Sequence, residues 1–544
     1  MKKLLILFLL FLVGCTEKPN PVDTKPIVPT AIEIVNLSGA NEITVGENNI
    51  TLTYVTTPSN ASQDITWSSS DPQVATVNEN GEVTGVDSGV AIIYATSTHD
   101  KSIYGEIEIT VYNDGPSNEK IEEIISYLED VIPNQATDSA IELPLFYDGD
   151  IRLYWQSSDP YTIDSLGRVT AGRKNINVML KATFKVGRVN GEFTKHVFVP
   201  KYELKSREDK KLTFTYLFDA GGFTGFREGD LDRIDVINLS FGGISYGKLS
   251  VAGLQNRARI ISEAHAVGTR VVLAIGGWGV DGFSQAVRTS ESRKVFINSI
   301  IEGINRYRFD GIDIDWEYPG STAGGYIEAH PQDKYNLTLF MQELRAEMDK
   351  IDQDLILSIA VACGEWAARD CYEVEKINDY IDFMHLMSYD LVNHAKTSHH
   401  TNLFKSNYSD SSTVNGINAY LNRGLDREKL VIGVAFYGYI FKNTASGNNN
   451  GLGVSDTSAG TVTYRAIVQN YLNNPNLYQV FYDDVAKANW IYGNNTFITY
   501  DSPISIAEKA KYVKNNNLAG LMVWQYTQDD DDSTLLKAIY NNLK

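Results

Sequence analysis

Hydrophobic and polar residues alternate in short runs over the first part of the chain. The runs cover residues 31–35, 50–56, 74–78, 90–96 and 106–111, and turn residues separate them. A period of two is typical of strands that bury one face, and short strands with regular turns are typical of a sandwich. The pattern therefore predicts an all-β sandwich over residues 31–113.

Residues 114–202 repeat some features of this first segment. Residues 67–72 have the sequence W-S-S-S-D-P, and residues 155–160 have W-Q-S-S-D-P. We therefore predict a second, diverged sandwich, with a helix at residues 118–132 before its strands. A tryptophan at a fixed place in a sandwich is more often core than a sugar-binding surface, so we interpret both segments as spacers.

After residue 211, strand-like runs alternate with patterns of helical period. The strand-like runs are 212–218, 234–241, 270–275, 309–316, 355–361, 381–389, 430–437 and 518–524. The helical patterns include 255–267, 291–307, 334–351 and 504–515. Eight strands with intervening helices predict an α/β fold, a (β/α)₈ TIM barrel with its active site at the C-terminal strand ends. About eighty residues separate the last two strands, too many for one crossover, and we predict an α+β insertion at residues 442–502.

The fourth strand-like run carries a concentration of charge at its end. Asp313, Asp315 and Glu317 alternate with apolar residues, so the strand period places three carboxylates on one face. Like charges ~6.6 Å apart on an apolar strand destabilise a purely structural element, and we predict an active-site strand. Asp310 is out of phase with the other three, and we interpret it as a structural contact at the strand start.

Composition and charge narrow the class of partner. The chain has 544 residues, with 43% hydrophobic and 21% charged, which is typical of a globular protein of two to four domains. Its formal net charge of -20 argues against nucleic acid and anionic membrane surfaces, because the field repels them. No His pair, Cys cluster or carboxylate spacing indicates a metal site, and we expect no cofactor and a monomer.

The N-terminus indicates export. Two lysines precede an apolar run over residues 4–13, which is typical of a secretory signal. Residues 12–15, L-V-G-C, resemble the bacterial lipobox, in which the cysteine, here Cys15, is lipidated and becomes the mature N-terminus. The alternative is an ordinary signal peptide with an incidental cysteine. Residues 16–30 contain four prolines and predict an extended tether, so we expect a secreted, cell-surface lipoprotein.

Two further cysteines lie in the C-terminal part of the chain. Cys363 and Cys371 form an even pair in a chain predicted to be exported, where a disulfide is allowed. Their spacing does not decide between a disulfide and two reduced thiols, and both alternatives stay open.

Residues 310–317, D-G-I-D-I-D-W-E, match the D-x-x-D-x-D-x-E signature of glycoside hydrolase family 18, the chitinase family. Further segments resemble the family in the same order along the chain: 274–278 (A-I-G-G-W), 387–390 (M-S-Y-D), 433–438 (G-V-A-F-Y-G) and 520–524 (G-L-M-V-W). The resemblance implies a family 18 barrel at residues 208–544, with a chitinase insertion domain. Residues 67–85 resemble the group 2 bacterial Ig-like domain.

The resemblance also implies a mechanism. Glycosidases normally place two carboxylates on either side of the scissile bond, but three on one strand are too close together for that. In the family, the 2-acetamido carbonyl of the substrate is the nucleophile, and an oxazolinium intermediate gives net retention. Glu317 is then the general acid and base, with an ionisation made costlier by the charge of Asp315. Asp315 orients the acetamido group and shares a proton with Asp313, and Tyr389 donates to the acetamido carbonyl.

Substrate contacts follow from the same resemblance. The implied residues are Asp390, Trp524, Tyr437, Trp278, Tyr216, Met387 and Tyr318. For Trp278 and Trp316, a site and a core position are equally open. The chain departs from the family at two positions, because Ala274 replaces a serine that would steady Asp313 and Tyr439 replaces a common arginine. Tyr216 is the alternative donor to Asp313.

The sequence thus predicts a lipid-anchored extracellular chitinase that hydrolyses β-1,4-linked N-acetylglucosamine polymers. One alternative is an endo-β-N-acetylglucosaminidase that cuts the chitobiose core of N-glycans. Three features favour chitin over N-glycans as the substrate: residues 387–390, Trp524 and the insertion. The other alternative is a non-catalytic chitin-binding lectin, and the presence of Glu317 argues against it.

Overall fold

The structure is a computed structural model that describes residues 25–46, 49–137, 139–205, 211–392, 395–455 and 459–544. The predicted signal peptide at residues 1–15, Cys15 and most of the predicted tether lie outside these ranges. Within them, every helix is too short or too polar to cross a bilayer. The contacts divide the chain into two compact units. One contains the described residues up to Leu128 with Phe146–Leu153 and Thr183–Glu192, and the other contains the remainder.

The first unit contains the predicted sandwich of two four-stranded sheets. One sheet has the order Ala31–Asn36, Ile50–Thr57, Glu82–Gly85 and Ala75–Val77, and the other has Glu42–Thr44, Tyr104–Tyr112, Gly89–Ser97 and Ile65–Ser69. Ala91, Ile93 and Ala95 are fully buried, as a period of two requires. The helix predicted at residues 118–132 spans Gly115–Val131.

The sheets of the second segment are smaller. A three-stranded sheet has the order Tyr154–Ser157, Ile176–Val186 and Val189–Val199, and a hairpin is formed by Phe146–Tyr147 and Ile151–Arg152. Trp155 is buried and its indole nitrogen donates to the carbonyl of Pro144 at 2.7 Å. Trp155 is therefore a core residue, as the pattern indicated.

The barrel in the second unit has eight parallel strands. They are Leu212–Phe218, Val236–Ser245, Arg270–Gly276, Gly311–Asp315, Ile356–Ala362, Phe383–Met387, Leu430–Ala435 and Gly520–Trp524. The first strand pairs with both the second and the eighth, which closes the barrel. The bounds of the strands differ from the predicted runs by a few residues. Trp316, for example, belongs to a predicted run but lies beyond Asp315, the last residue of that strand that pairs in the sheet.

Helices lie in the connections between the strands of the barrel and the insertion and after the eighth strand. They are Asp230–Arg233, Arg257–Ala266, Phe283–Val287, Ser290–Tyr307, Asp333–Ile351, Glu365–Asp370, Val374–Asn378, Thr413–Leu421, Tyr464–Ile467, Pro503–Asn515 and Thr534–Leu543. The helix before the acidic strand shows why these elements end where they do. Thr289 and Ser292 form a capping box at its start, and Arg308, at a left-handed φ of 66°, ends it.

The insertion between strands seven and eight is a five-stranded antiparallel sheet. Its order is Ala459–Thr463, Tyr437–Lys442, Thr496–Tyr500, Ala488–Gly493 and Gln479–Asp483. The insertion starts at Tyr437 rather than at the predicted residue 442. The reason is that the chain leaves the barrel after Phe436, where the backbone nitrogen donates to Trp524 O at 2.8 Å.

Asp310 lies at the N-terminal end of the barrel strands, where the acidic strand begins. It is fully buried and accepts hydrogen bonds from His265 Nε2 at 2.7 Å, from Val271 N at 2.8 Å and from the hydroxyl of Tyr202. Arg173 Nη1 lies 3.5 Å from Asp310 Oδ1, the oxygen that also accepts from Tyr202. These contacts confirm that Asp310 is structural. Tyr202 and Arg173 belong to the segment that we interpreted as a spacer, so the parts of this segment within the second unit, residues 129–145, 154–182 and 193–202, pack on the barrel.

The two cysteines of the barrel are free and buried. A disulfide between them is therefore wrong, and the alternative of two thiols holds. Cys363 Sγ lies 3.6 Å from Ser412 O and faces Gly416, and the helix Glu365–Asp370 separates it from Cys371. Burial raises the pKa of these thiols to about 12 and about 11, which makes both of them unreactive.

Candidate active site

The C-terminal ends of the barrel strands surround a cavity of about 480 Å³. Eight of the residues predicted for the site line it: Tyr216, Trp278, Asp315, Glu317, Met387, Tyr389, Asp390 and Trp524. Three others, Asp313, Tyr318 and Tyr437, are buried behind its walls. The acidic strand therefore ends in a cavity, as its charge predicted.

Asp313 is held by hydroxyl groups from two different strands. Tyr216 donates to Asp313 Oδ2 at 2.6 Å, and Ser358 donates to Asp313 Oδ1 at 2.7 Å. In the sheet, Asp313 pairs on one side with Ala274 and on the other with Ser358. The hydroxyl that is missing at Ala274 is thus supplied by the opposite neighbour. Sequence reasoning missed Ser358, although a serine within the apolar run of the fifth strand was a signal.

Two more polar residues lie inside the barrel below Asp313. His385 Nδ1 lies 3.0 Å from the amide nitrogen of Asn238, 3.1 Å from the hydroxyl of Tyr216 and 3.7 Å from Asp313 Oδ1. Burial lowers the pKa of His385, although the charge of Asp313 opposes this shift, so burial favours the neutral ring. Neither His385 nor Asn238 was predicted from the sequence, although each is a polar residue within an apolar strand.

Asp315 and Glu317 are two carboxyl groups with unfavourable ionised forms. Burial raises the pKa of Asp315 well above its usual value, and the charges of Glu317 and Asp313 add to the rise. Burial raises the pKa of Glu317 to about 7, where Asp390 adds to the effect and a hydrogen bond from Tyr318 opposes it. We predicted from the sequence that the charge of Asp315 makes the ionisation of Glu317 costlier, whereas in the structure burial is the largest cause of the raised pKa of Glu317 and Asp390 supplies the charge that adds to it. A protonated Glu317 near neutral pH can act as a general acid.

Tyr389 and Asp390 come from the end of the sixth strand. Within the described part of the chain, the contact made by the Tyr389 hydroxyl is a weak one of 3.9 Å with Met522 Sδ, so this hydroxyl can donate to another acceptor. Asp390 has a left-handed φ of 59° and accepts hydrogen bonds from Tyr437, at 2.5 Å, and from Tyr439. Tyr437 therefore contacts Asp390 rather than the cavity itself.

The tryptophans of the motifs divide between site and core. Trp278 is 66% exposed and lines the cavity, whereas Trp316 is only 2% exposed and stacks on Phe283 at 5.2 Å. Trp524 forms an aromatic surface with Phe241, whose ring centre is 5.7 Å away. An exposed aromatic face in a cavity binds the apolar face of a sugar ring. Trp278 thus belongs to the site and Trp316 to the core.

Family models match both parts of the chain. The model for glycosyl hydrolases family 18 matches residues 205–529, more than half of the chain. The chain belongs to glycosyl hydrolases family 18. The model for the bacterial Ig-like domain (group 2) matches residues 31–107, which confirms the resemblance of the first sandwich.

Known chitinases are similar to part of this chain. Chitinase A1 of Niallia circulans is 29% identical over 319 residues, covering 54% of this chain and 44% of that protein. Probable chitinase 2 of Drosophila melanogaster is 32% identical over 279 residues, covering 48% and 56%. The chain thus spans about half the length of these curated relatives. A solved family 18 N-acetylglucosaminidase from Paenibacillus barengoltzii has 30% identity and a TM-score of 0.58, covering 61% of this chain and all of that one.

The support of Asp313 in this family 18 site gives a first prediction. Ser358→Ala is expected to lower kcat by about ten-fold, because one carboxylate oxygen loses its donor at a cost of about 1.5 kcal/mol. Adding Ala274→Ser is expected to restore part of the rate, since it places a hydroxyl at the same register on the other side of Asp313. Steady-state kinetics on N-acetylglucosamine oligomers measure both effects.

Ser240→Ala is the matched control, because this buried barrel serine donates to Asn238 O and not to Asp313. An equal loss of rate in Ser240→Ala and Ser358→Ala would show that the effect does not come from the bond to Asp313.

Proposed function

We propose that the protein is an extracellular, lipid-anchored chitinase that hydrolyses β-1,4-linked N-acetylglucosamine polymers or oligomers with retention of configuration. The observation that carries the proposal is the state of Asp315 Oδ1, which is buried and has no hydrogen-bond partner among the described residues. A buried acceptor left without a donor costs about 1–3 kcal/mol. The N–H of a 2-acetamido group in the cavity would supply that donor.

The neighbours of Asp315 fit the rest of the same group. The hydroxyl of Tyr389 is able to donate to the acetamido carbonyl, and the aromatic surface of Trp524 supports the sugar ring. A carbonyl held in this way attacks C1 while Glu317 transfers its proton to the glycosidic oxygen. The bond from C1 to the leaving oxygen breaks, a bond from C1 to the carbonyl oxygen forms, and an oxazolinium ion results.

The second half of the reaction returns the site to its first state. Glu317, now a carboxylate, takes a proton from water, and the hydroxide adds to C1 from the side that the leaving group vacated. The bond from C1 to the carbonyl oxygen breaks at the same time, which restores the acetamido group. The buried oxygen of Asp315 accepts the N–H of the oxazolinium ion between the two steps and thereby stabilises its positive charge. The substrate thereby supplies the nucleophile, and all carboxylates of the acidic strand act from one side of the sugar.

The location follows from the N-terminal sequence. We propose that Cys15 carries a lipid and holds the enzyme outside the cytoplasmic membrane, with residues 16–30 as a tether and residues 31–113 as a spacer. Residues 114–202 then form a second, diverged Ig-like domain. The Ig-like match and the chitinase relatives support an extracellular enzyme.

A second candidate differs only in its product. The similar enzyme of Paenibacillus barengoltzii is an N-acetylglucosaminidase, and the present chain covers all of it. Such an enzyme would release single N-acetylglucosamine units from chain ends.

Product analysis tests the proposed function. The purified protein is incubated with colloidal chitin and, in parallel, with an N-glycosylated protein, and products are identified by mass spectrometry. We expect oligomers of N-acetylglucosamine from chitin, whereas monomer alone would favour the second candidate. Release of N-glycans with chitin untouched would contradict the proposal. Glu317→Gln serves as the blank for contaminating hydrolases.

A further inference from the structure

A buried ion pair joins the helix before the eighth barrel strand to the end of the insertion. Lys509 lies in the helix Pro503–Asn515, and Asp501 directly follows the last strand of the insertion, Thr496–Tyr500. Lys509 Nζ lies 2.7 Å from Asp501 Oδ2, and both side chains are fully buried. Removing two charges from water is costly, and one ion pair alone seldom offsets that cost. A pair at this position therefore needs further polar partners.

Those partners are found at the C-terminal end of the seventh barrel strand. Lys509 Nζ also donates to the hydroxyl of Thr401 and, at 3.2 Å, to Gly433 O, so all three protons of the ammonium group have acceptors. Asp501 Oδ2 accepts from Ala435 N at 3.0 Å. Gly433 and Ala435 belong to the seventh strand, so the ion pair holds the backbone of that strand at two points.

The seventh strand in turn holds the end of the sixth strand, where Tyr389 lies. Ser388 Oγ accepts from Gly433 N at 2.8 Å and donates to Gly433 O at 3.1 Å. The hydroxyl of Thr401 lies 3.2 Å from Ser388 O. A Cβ atom on Gly433 would lie 2.9 Å from Tyr389 Cε1, so the Tyr389 ring packs directly on the backbone of the seventh strand. The groups that fix Ser388 and Tyr389 are thus groups that Lys509 contacts.

The packing of its ring decides where the Tyr389 hydroxyl points. Among the described residues, the contact of this hydroxyl is the weak one with Met522 Sδ at 3.9 Å, which does not hold it firmly. A reacting group that is displaced by about 1 Å can slow a reaction by roughly 10²-fold. The support of Tyr389 from the seventh strand therefore bears directly on the rate.

We propose that Lys509 and Asp501 are positioning residues for Tyr389. By holding the ends of the sixth and seventh strands together, they place the Tyr389 hydroxyl where the carbonyl of a 2-acetamido group meets it. The proposal rests on the proposed function, because Tyr389 acts there as the donor to that carbonyl. It also gives the insertion a part in catalysis, since Asp501 lies where the insertion ends.

The test is a double-mutant cycle of Lys509→Met and Tyr389→Phe, in which kcat is measured on an N-acetylglucosamine tetramer. Lys509→Met alone is expected to lower kcat by about ten-fold, because it releases the ring that carries the donor. Tyr389→Phe has no hydroxyl to position, so adding Lys509→Met to it is expected to lower kcat by less than about two-fold. Equal losses in the two backgrounds would overturn the proposal.

Lys205 provides the matched control, because it is also a lysine that donates to backbone carbonyls and to a threonine hydroxyl. Its Nζ lies 2.8 Å from Ile234 O and 2.7 Å from Thr269 Oγ1, just before the second and third barrel strands. Lys205→Met is expected to lower the melting temperature without a comparable loss of kcat. If Lys205→Met and Lys509→Met lose kcat equally, the effect is one of general stability and the proposal is wrong.

Thr401→Val tests the proposal if Lys509→Met does not fold. Valine is close to threonine in shape and leaves the ion pair in place, but it lacks the hydroxyl that lies between Lys509 and Ser388. We expect kcat to fall by about three-fold, the equivalent of one neutral hydrogen bond, and only when Tyr389 is present. In that case, an unchanged kcat in Thr401→Val would overturn the proposal.

A measurement without substrate separates this inference from the proposed function. With 3-fluorotyrosine in place of Tyr389 alone, fluorine-19 NMR reports the surroundings of that ring. We expect Lys509→Met to shift this signal and Lys205→Met to leave it in place. If the wild type hydrolyses no chitin, the proposed function fails, while a shifted signal still supports the positioning of Tyr389. An unshifted signal in an active enzyme would reject the inference alone.

Discussion

Glu317→Gln is expected to lower kcat/KM on N-acetylglucosamine oligomers by roughly 10³-fold while leaving the melting temperature nearly unchanged. The amide is close in size to the acid but has no proton to give to the leaving oxygen, and general acid catalysis supplies roughly 10²–10⁴-fold. Glu317 is half-buried at the cavity wall, so the substitution removes no core packing. Stopped assays of released reducing ends, with calorimetry of both proteins, measure the two quantities.

The pH dependence of the rate gives a second test with the same variant, Glu317→Gln. Since Glu317 must be protonated for the first step, the rate of the wild type is expected to fall as the pH rises through about 7. The residual activity of Glu317→Gln is expected to lack this limb. A variant that retains more than one tenth of the rate, or that keeps the alkaline limb, would assign the acid role to another group.

Asp310→Asn is expected to destabilise the barrel by about 3 kcal/mol, because it removes one partner of a buried charged cluster. The ring of His265 lies between two acceptors, with Nε2 2.7 Å from Asp310 Oδ2 and Nδ1 2.7 Å from Ala171 O. Tyr202→Phe is expected to cost less, about 1–2 kcal/mol, since it removes one hydrogen bond to the carboxylate. Calorimetry at neutral pH, with urea unfolding, measures both variants.

The exposed lysine of the pair Lys350–Glu347 provides the control. Lys350→Gln breaks a surface ion pair, which is worth less than about 1 kcal/mol. The stabilisation by Asp310 should also depend on pH. Burial raises its pKa, but the charge of His265 and three hydrogen bonds lower it more, so the folded value is below the usual one. The contribution is therefore present above the pKa of the unfolded carboxyl and is lost as the pH falls through the folded value. If Asp310→Asn and Lys350→Gln melt together, the cluster is not a main source of stability.

This cluster changes the role of residues 129–202. The sequence analysis interpreted them as a spacer, since alternating strands and turns are local features that reveal nothing of their neighbours. In the structure, Arg173 also donates to Asp352 at 2.7 Å, and Arg308 pairs with Asp159 at 2.6 Å. The parts of the segment that belong to the second unit therefore pack against the end of the barrel where the acidic strand begins.

Much of the site could be predicted because its signals are local. The alternation of carboxylates with apolar residues placed Asp313, Asp315 and Glu317 on one face, and the phase of Asp310 excluded it from that face. The order of strands and helices predicted the barrel, whose chemistry lies at one end of its strands. These inferences depend on the spacing of residues within one segment, and this spacing can be read from the sequence.

What needed the tertiary structure concerns residues far apart along the chain. Three other strands carry residues near Asp313. Ser358 donates to Asp313, and His385 lies next to Tyr216 and Asn238. Closure of the barrel sets the register of these strands. The same holds for Tyr439, whose departure from the family was visible but whose contact with Asp390 was not. By itself, then, the sequence determined the fold class and the acidic face, because the strand period is a property of the local backbone. Only the tertiary structure decided which groups share protons and hydrogen bonds with that face, because burial and distance between strands set those energies.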